Sequence, residues 1–383
     1  MGSGIVLRRN KVVGLGAVVL TLGLSLTACG TTEDGDGGSD AACDLKLAFF
    51  GPETGAAAGL GKPIIQGMQL AVDQYNDDAD CDVEMVKYDS QGSPDEAPSL
   101  ATEVAGDESI VGVVGPAFSG EGAAAGPIFA EAGVPTITPS GTNPGLSTNG
   151  WDTFHRALGN DATQGPAAAK YIKDTLKAAS VFVIDDASEY GAGLAGIVEK
   201  DLAGAVTGTD TIQTGQTDFS TTVTKVNDKK PDAVFFGGYY AEATILIGQL
   251  RDGGYEGKFV VADGVKDPAF LDAKDAAEGT IITCPCIPDT DPAVATFAAD
   301  YEKEFSEAPG TYAAEAYDAA NVFLDGIESG IDNREDLLAF VNDYDEKGIT
   351  KQLKFDKTGE PADVHVYAYT VKGGAIVPEG EIK

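Results

Sequence analysis

Residues 113–126 read VVGPAFSGEGAAAG. An apolar run enters a glycine-bearing turn and continues into a row of small residues. That order is a strand passing through a tight turn into a helix. The unpaired N–H groups and positive dipole end of such a helix start suit an anion. Gly120, Gly122 and Gly126 give a G-x-G-x-x-x-G spacing, close to a dinucleotide fingerprint. The next strand, however, ends in Thr138-Pro139-Ser140 and brings no acidic residue to a ribose hydroxyl. The dinucleotide is set aside; a small anion or a purely structural turn is left.

The same unit recurs on both sides of this stretch. LKLAFF (45–50) reads as a strand, followed by Ile64, Ile65, Met68, Val72 and Tyr75 at helical spacing. VEMVKYD (83–89) is the next strand. SPDEAPSLATEVAG (93–106) predicts a helix with Ser93 as cap, Pro94 in the first turn and Glu96 three residues on. SIVGVVG (109–115), a helix from about Ser119 and VPTITPS (134–140) complete a first series. A second series supplies strands SVFVID (180–185), DAVFFGG (232–238), KFVVAD (258–263) and GTIITC (279–284), with helices near 188–203, 219–229 and 241–253. Alternation of this kind builds a parallel sheet covered on both faces, and two series predict two α/β lobes. The tail carries helical patterns at 292–306 and 311–329, the latter with Tyr312, Ala316, Phe323 and Ile327 along one face. VHVYAYTV (364–371) is a late strand, so the chain crosses between lobes more than once.

The chain has 383 residues, enough for about two domains, and a net charge of −35. That charge excludes nucleic acid, polyphosphate and anionic membrane as general partners. Residues 1–28 carry Arg8, Arg9 and Lys11, then an apolar run from Val12 to Leu26, and are followed by Cys29. This is the pattern of a lipoprotein signal peptide, with Cys29 as the lipidated new N-terminus. Cleavage removes three positive charges and moves the net charge to −38. Residues 29–42, glycine-rich and acidic, read as a flexible tether on the outer face of the cell membrane. Export leaves Cys43, Cys81, Cys284 and Cys286 in an oxidising compartment, with three pairings open. If the strands after Cys43 and Cys81 are parallel neighbours, Cys43–Cys81 is favoured, and Cys284–Cys286 follows. One C-x-C and only His155 and His365 do not assemble a zinc site, and no cofactor is expected.

In open α/β sheets ligands bind beyond the carboxyl ends of the strands. Those ends offer Phe118 and Ser119, then Ser140, Gly141 and Thr142, from the first series. The second offers Asp185, Asp186, Tyr190, Tyr239, Glu242 and Asp263. One wall thus suits a carboxylate; the other suits a cation with an apolar body. A zwitterionic amino acid has both. No G-x-S-x-G elbow or H-E-x-x-H motif is present, so an enzyme is not indicated.

Seven blocks occur in order: LAFFGPETGAAAGLGKPIIQGMQLAVDQYN (47–76), VGVVGPAFSG (111–120), VPTITPSGTNPGL (134–146), RALGNDATQGPAAAKYI (156–172), DDASEYGAGLA (185–195), DFSTTVTKVN (218–227) and FFGGYYAEATILIGQLRDGG (235–254). Together they resemble the branched-chain amino-acid-binding (Leu/Ile/Val-binding) proteins of ABC transporters. The resemblance implies a type I periplasmic-binding fold: two doubly wound lobes, 43–158 plus 288–358 and 159–287 plus 359–383, joined by a three-segment hinge. By position, Ser119 and Thr142 would hold a ligand carboxylate. The Ser140 carbonyl and Asp263 would take the ammonium, and Gly141 would line the same loop. Tyr190 and Tyr239 would cover the ligand; Phe118 and Leu60 would flank its side chain. Departures occur at Asp263, where the family often has Glu, at Leu60, where members carry tyrosine, and at Gly92 and Phe118, where members place a disulfide. The resemblance further implies a monomer serving a permease and ATPase subunits. A binder of an amide, urea or aromatic acid, or a ligand sensor, shares the fold.

Overall fold

In a computed structural model of the chain, residues 44–79 and 81–383 are described. The segments expected to be a signal peptide and a tether, with Cys29 and Cys43, lie outside them, and so does the expected Cys43–Cys81 pairing.

Strand β1 (Leu45–Gly51) shows why the sequence folds as layers. Alternate side chains of a strand point to opposite faces. Leu47 and Phe49 enter one apolar cluster with Ile64 and Met68, whereas Ala48 and Phe50 enter another with Ala101 and Phe129. The first cluster is covered by α1 (Ala58–Asn76), and β2 (Val83–Asp89) pairs with β1. The second is covered by α2 (Ala97–Gly106) and, after β3 (Ile110–Val114), by α3 (Ser119–Glu131). Helix α2 starts at Ala97 rather than at a Ser93 cap; the Ser93 hydroxyl instead accepts from Asp95 N in the preceding turn. Strands β4 (Thr136–Thr138) and β5 (Phe154–Arg156) complete a five-stranded parallel sheet in the order β2-β1-β3-β4-β5.

The chain then passes through α4 (Asp161–Lys170) into β6 (Val181–Asp185), α5 (Glu189–Leu202), β7 (Val206–Thr211) and α6 (Ser220–Lys229). Next come β8 (Ala233–Gly237), α7 (Tyr240–Asp252), β9 (Lys258–Val261) and β10 (Ile281–Cys284). Period two again divides the faces: Val181 and Phe235 pack one side, Phe182 and Phe236 the other. Residues 292–354 return to the first layer, where α8 (Ala295–Phe305) and α9 (Ala313–Glu328) lie on α1 and α10 (Arg334–Asn342) on β3. After a hairpin, β11 (Asp345–Lys347) and β12 (Gln352–Lys354), strand β13 (Tyr367–Lys372) joins β10 antiparallel and β14 (Ala375–Glu381) follows it. The second sheet runs β14-β13-β10-β9-β8-β6-β7.

The three connecting segments touch at Gly159, where a Cβ would clash with Val364 and press on Pro285 at 3.2 Å. Cys284 and Cys286 are disulfide-bonded there, with Cα atoms 5.1 Å apart. Among the described residues no helix is long and apolar enough to cross a membrane.

Candidate functional site

The wall from the first sheet is built by mutual anchoring of three loops. At the start of α3, Glu121 folds back so that its carboxylate accepts from Phe118 N at 2.8 Å and from the Ser90 hydroxyl. This return bond, half of a capping box, fixes Phe118 and Ser119 at the strand end. Burial pushes the Glu121 carboxyl up to about 7, against the lowering effect of its two donors. Ser119 is not itself the cap; its Oγ accepts from Asn143 N at 3.1 Å and ties α3 to the loop after β4. In that loop Ser140 Oγ donates to Ala117 O at 2.7 Å, and Thr138 Oγ1 accepts from Gly141 N at 2.8 Å. The Arg156 guanidinium, fully buried, donates to Gly141 O and to Asn143 O, and pairs with Glu360 at 3.1 Å. The loop is thus held from both sides, and the buried Thr142 Oγ1 has no partner among the described residues.

The facing wall centres on Asp263, which is 1% exposed. Its carboxylate accepts from Tyr190 Oη at 2.7 Å, Gln164 Nε2 at 2.7 Å and Tyr312 Oη at 2.6 Å. Burial raises its pKa above the usual carboxylate value, and these three donors pull the other way. Burial and the Asp263 charge raise the Tyr190 and Tyr312 hydroxyls well above the usual phenol value, so both stay donors. Tyr190 is aimed by the start of α5, where Ser188 caps Gly191 N and is itself held by the buried Asp186. Gly264 lets two rings close in: a Cβ there would stand 2.9 Å from Tyr190 and 3.2 Å from Tyr239. Tyr239 packs on Tyr190 at 5.2 Å between centroids and on Phe118, across the cleft, at 4.7 Å.

Behind both walls lies Asp161, at the start of α4, fully buried, with neither carboxylate oxygen in hydrogen-bond geometry among the described residues. Burial, then the nearby Asp263 charge, raises it well above its usual pKa; the Thr142 hydroxyl and Arg156 beside it act in the opposite sense.

Phe118, Ser119, Ser140, Tyr190, Tyr239 and Asp263 line one small cavity together with Gly264 and Tyr312. Its volume is about 10 Å³, room for about one water. Thr142 and Gly141 shape the loop beside it without lining it. Leu60 is a fully buried core residue of α1. Tyr312 belongs to an apolar helical face by its spacing, yet its hydroxyl reaches Asp263; spacing gives no account of where a phenol oxygen goes. Gln164, Arg156 and Asp161 have no signal in composition or periodicity. His155 is bonded to Thr136 O and Asn342 in the first layer, and His365 pairs with Asp363 and Glu381; neither lines the cavity. Among the described residues no group of three or more His, Cys, Asp or Glu is placed to hold a metal ion.

Comparison with known proteins agrees with this layout. The chain is 30% identical over 330 residues to a leucine-, isoleucine-, valine-, threonine- and alanine-binding protein of Pseudomonas aeruginosa, covering 84% of this chain and 88% of that one. It is 30% identical over 329 residues to the Leu/Ile/Val-binding protein of Escherichia coli, covering 82% and 89%. A leucine-binding protein from Thermotoga maritima superposes with a TM-score of 0.83 at 27% identity, over 88% of this chain and 99% of that one. A branched-chain amino-acid transporter substrate-binding protein from Streptococcus pneumoniae, in complex with isoleucine, superposes with a TM-score of 0.82 at 29% identity, over 88% and 98%. Residues 44–375 match the family model described as periplasmic binding protein, and with these relatives it follows that the chain belongs to the periplasmic binding protein family, in its type I fold.

Proposed function

We propose that the protein binds a branched-chain or other aliphatic amino acid between its two sheets and delivers it to an ABC importer. The observation that carries this reading is Asp263: a buried carboxylate, fixed by Tyr190, Tyr312 and Gln164, facing a wall of hydroxyls and a helix start. A buried charge is costly unless paired. An α-ammonium group pairs it, with the Ser140 carbonyl as a further acceptor, and Thr142 stands with Ser119 on the carboxylate side. The α-carboxylate meets the Ser119 hydroxyl and the N–H groups of the first α3 turn, where the dipole favours negative charge. Phe118 borders the side chain, and Tyr190 and Tyr239 cover the ligand. A ligand without an amine, such as an aromatic acid, leaves Asp263 unpaired.

The lobes divide at 43–158 plus 288–358 and 159–287 plus 359–383 and turn about the three segments that meet at Gly159. Cys29 carries the lipid anchor, residues 29–42 are the tether, and permease and ATPase subunits are the partners of a monomer. Titration calorimetry with leucine, isoleucine and valine tests the ligand, alongside mass spectrometry of what co-purifies. Saturable one-to-one binding is expected; no saturable heat with any aliphatic amino acid refutes the reading.

A further inference from the structure

The cavity beside Asp263 has room for about one water, so a ligand's head enters only as the walls part, and its inner groups are already engaged. Tyr190 and Tyr312 are bonded to Asp263, and Gly264 is packed against two rings. A side chain has one direction left. Phe118 and Tyr239, which line the inner cavity, also line a second chamber of about 780 Å³ toward the mouth of the cleft. The partition between the two spaces is that pair of rings, one from each side. Gly92 supports the arrangement: at φ +76 it lies against the Phe118 ring, and a Cβ there would stand 3.2 Å from it.

The outer chamber is walled by small or apolar residues, Ala56, Pro94 and Ala123 on one side and Ala187 and Ala241 on the other. Its charged lining residues are Glu189 and Glu242; none is basic. A volume of this size lies within the usual range for small-molecule sites, about 300–1,000 Å³, and exceeds what an isobutyl group fills.

Resting on the ligand reading above, we infer that the outer chamber is the side-chain half of the site, reached by displacing the Phe118–Tyr239 partition, and that it admits side chains larger than leucine's, aromatic ones included, while disfavouring acidic ones. Alanines on both walls leave the width, the two rings offer stacking surfaces, and Glu189 and Glu242 repel a carboxylate.

The test is calorimetry on the full chain with valine, leucine, phenylalanine and glutamate. Phenylalanine is expected to bind within about tenfold of leucine, and glutamate at least tenfold more weakly than either. Ala123→Trp and Ala241→Trp each narrow the chamber from one wall. Each is expected to weaken phenylalanine at least tenfold more than valine, with unchanged circular dichroism and melting to verify folding. Leucine binding without phenylalanine binding overturns this inference alone, as does equal weakening of valine and phenylalanine in both variants. Failure of every amino acid to bind overturns the ligand reading, and this inference with it.

Discussion

Glu121 makes a stability prediction that can be worked from its surroundings. It is fully buried, its partners are Phe118 N and the Ser90 hydroxyl, and the charged group nearest it on β2 is Asp89, of the same sign. Tyr239 on the facing side feels its charge. With no cation beside it, the folded chain holds the Glu121 carboxyl at about 7 against an ordinary 4.5. The folded state therefore binds this proton more tightly than the unfolded state. The contribution to stability is full below pH 4.5 and is lost as pH rises through 7. At about 1.4 kcal/mol per tenfold, the ionised group costs about 3 kcal/mol at pH 8, and most of this develops between pH 5 and 8. Glu121→Gln keeps an acceptor for Phe118 N and a donor for Ser90, and does not titrate. The assay is urea unfolding of both proteins at pH 5, 6, 7 and 8. The variant is expected to gain on the parent by about 2–3 kcal/mol across that range. A difference flat to within about 0.5 kcal/mol would show that Glu121 is not held as the geometry requires.

Two further substitutions separate binding from folding. Asp263→Asn removes the proposed ammonium partner but leaves a side chain of the same shape among Tyr190, Tyr312 and Gln164; amino-acid binding is expected to weaken by about 2–5 kcal/mol in calorimetry, while the melting temperature without ligand holds or rises because a buried charge is gone. Arg156→Met strands the Gly141 and Asn143 carbonyls and the Glu360 carboxylate, and is expected to cost about 3–5 kcal/mol in urea unfolding; a loss below about 1 kcal/mol would refute the clamp.

Much of the fold is legible because strand burial is written in the sequence. IVGVV (110–114) and AVFFG (233–237) are buried throughout, as central parallel strands are, and so read as unbroken apolar runs. The edge elements are the ones that sequence leaves dark. β7 is VTGTDT, half solvated and polar, and β14 carries a proline and two glutamates; neither has apolar periodicity to announce it. The site divides in the same way. Ser119, Ser140, Tyr190, Tyr239 and Asp263 stand at strand ends, where topology alone nominates them. Tyr312, Gln164, Arg156 and Asp161 reach the site by folding of distant segments. Asp263 and Tyr312 lie 49 positions apart, and Gln164 and Asp263 99. No local pattern encodes such meetings.

The contacts that span the cleft are few, and they explain why a ligand can govern it. Tyr312, at the start of a helix on the first layer, donates to Asp263 after β9. Asn143 Nδ2 donates to Glu189 O at 2.8 Å, Gly59 N to Tyr240 Oη at 3.2 Å, Lys266 Nζ to Thr311 Oγ1 at 3.3 Å and Thr311 Oγ1 to Lys266 O, and Phe118 meets Tyr239. A net hydrogen bond contributes about 1 kcal/mol and an aromatic pair about as much, so the set is modest for two large halves. The buried acids Asp161 and Asp263 both belong to the second half, so their charges oppose each other whether or not the walls meet. An ammonium beside Asp263 offsets that repulsion, but the donors for the ligand's carboxylate stand on the other wall, so both ends are met only when the walls are together. Affinity for the closed form over the open one follows from that geometry, and a ligand shifts a conformational equilibrium only through such a difference.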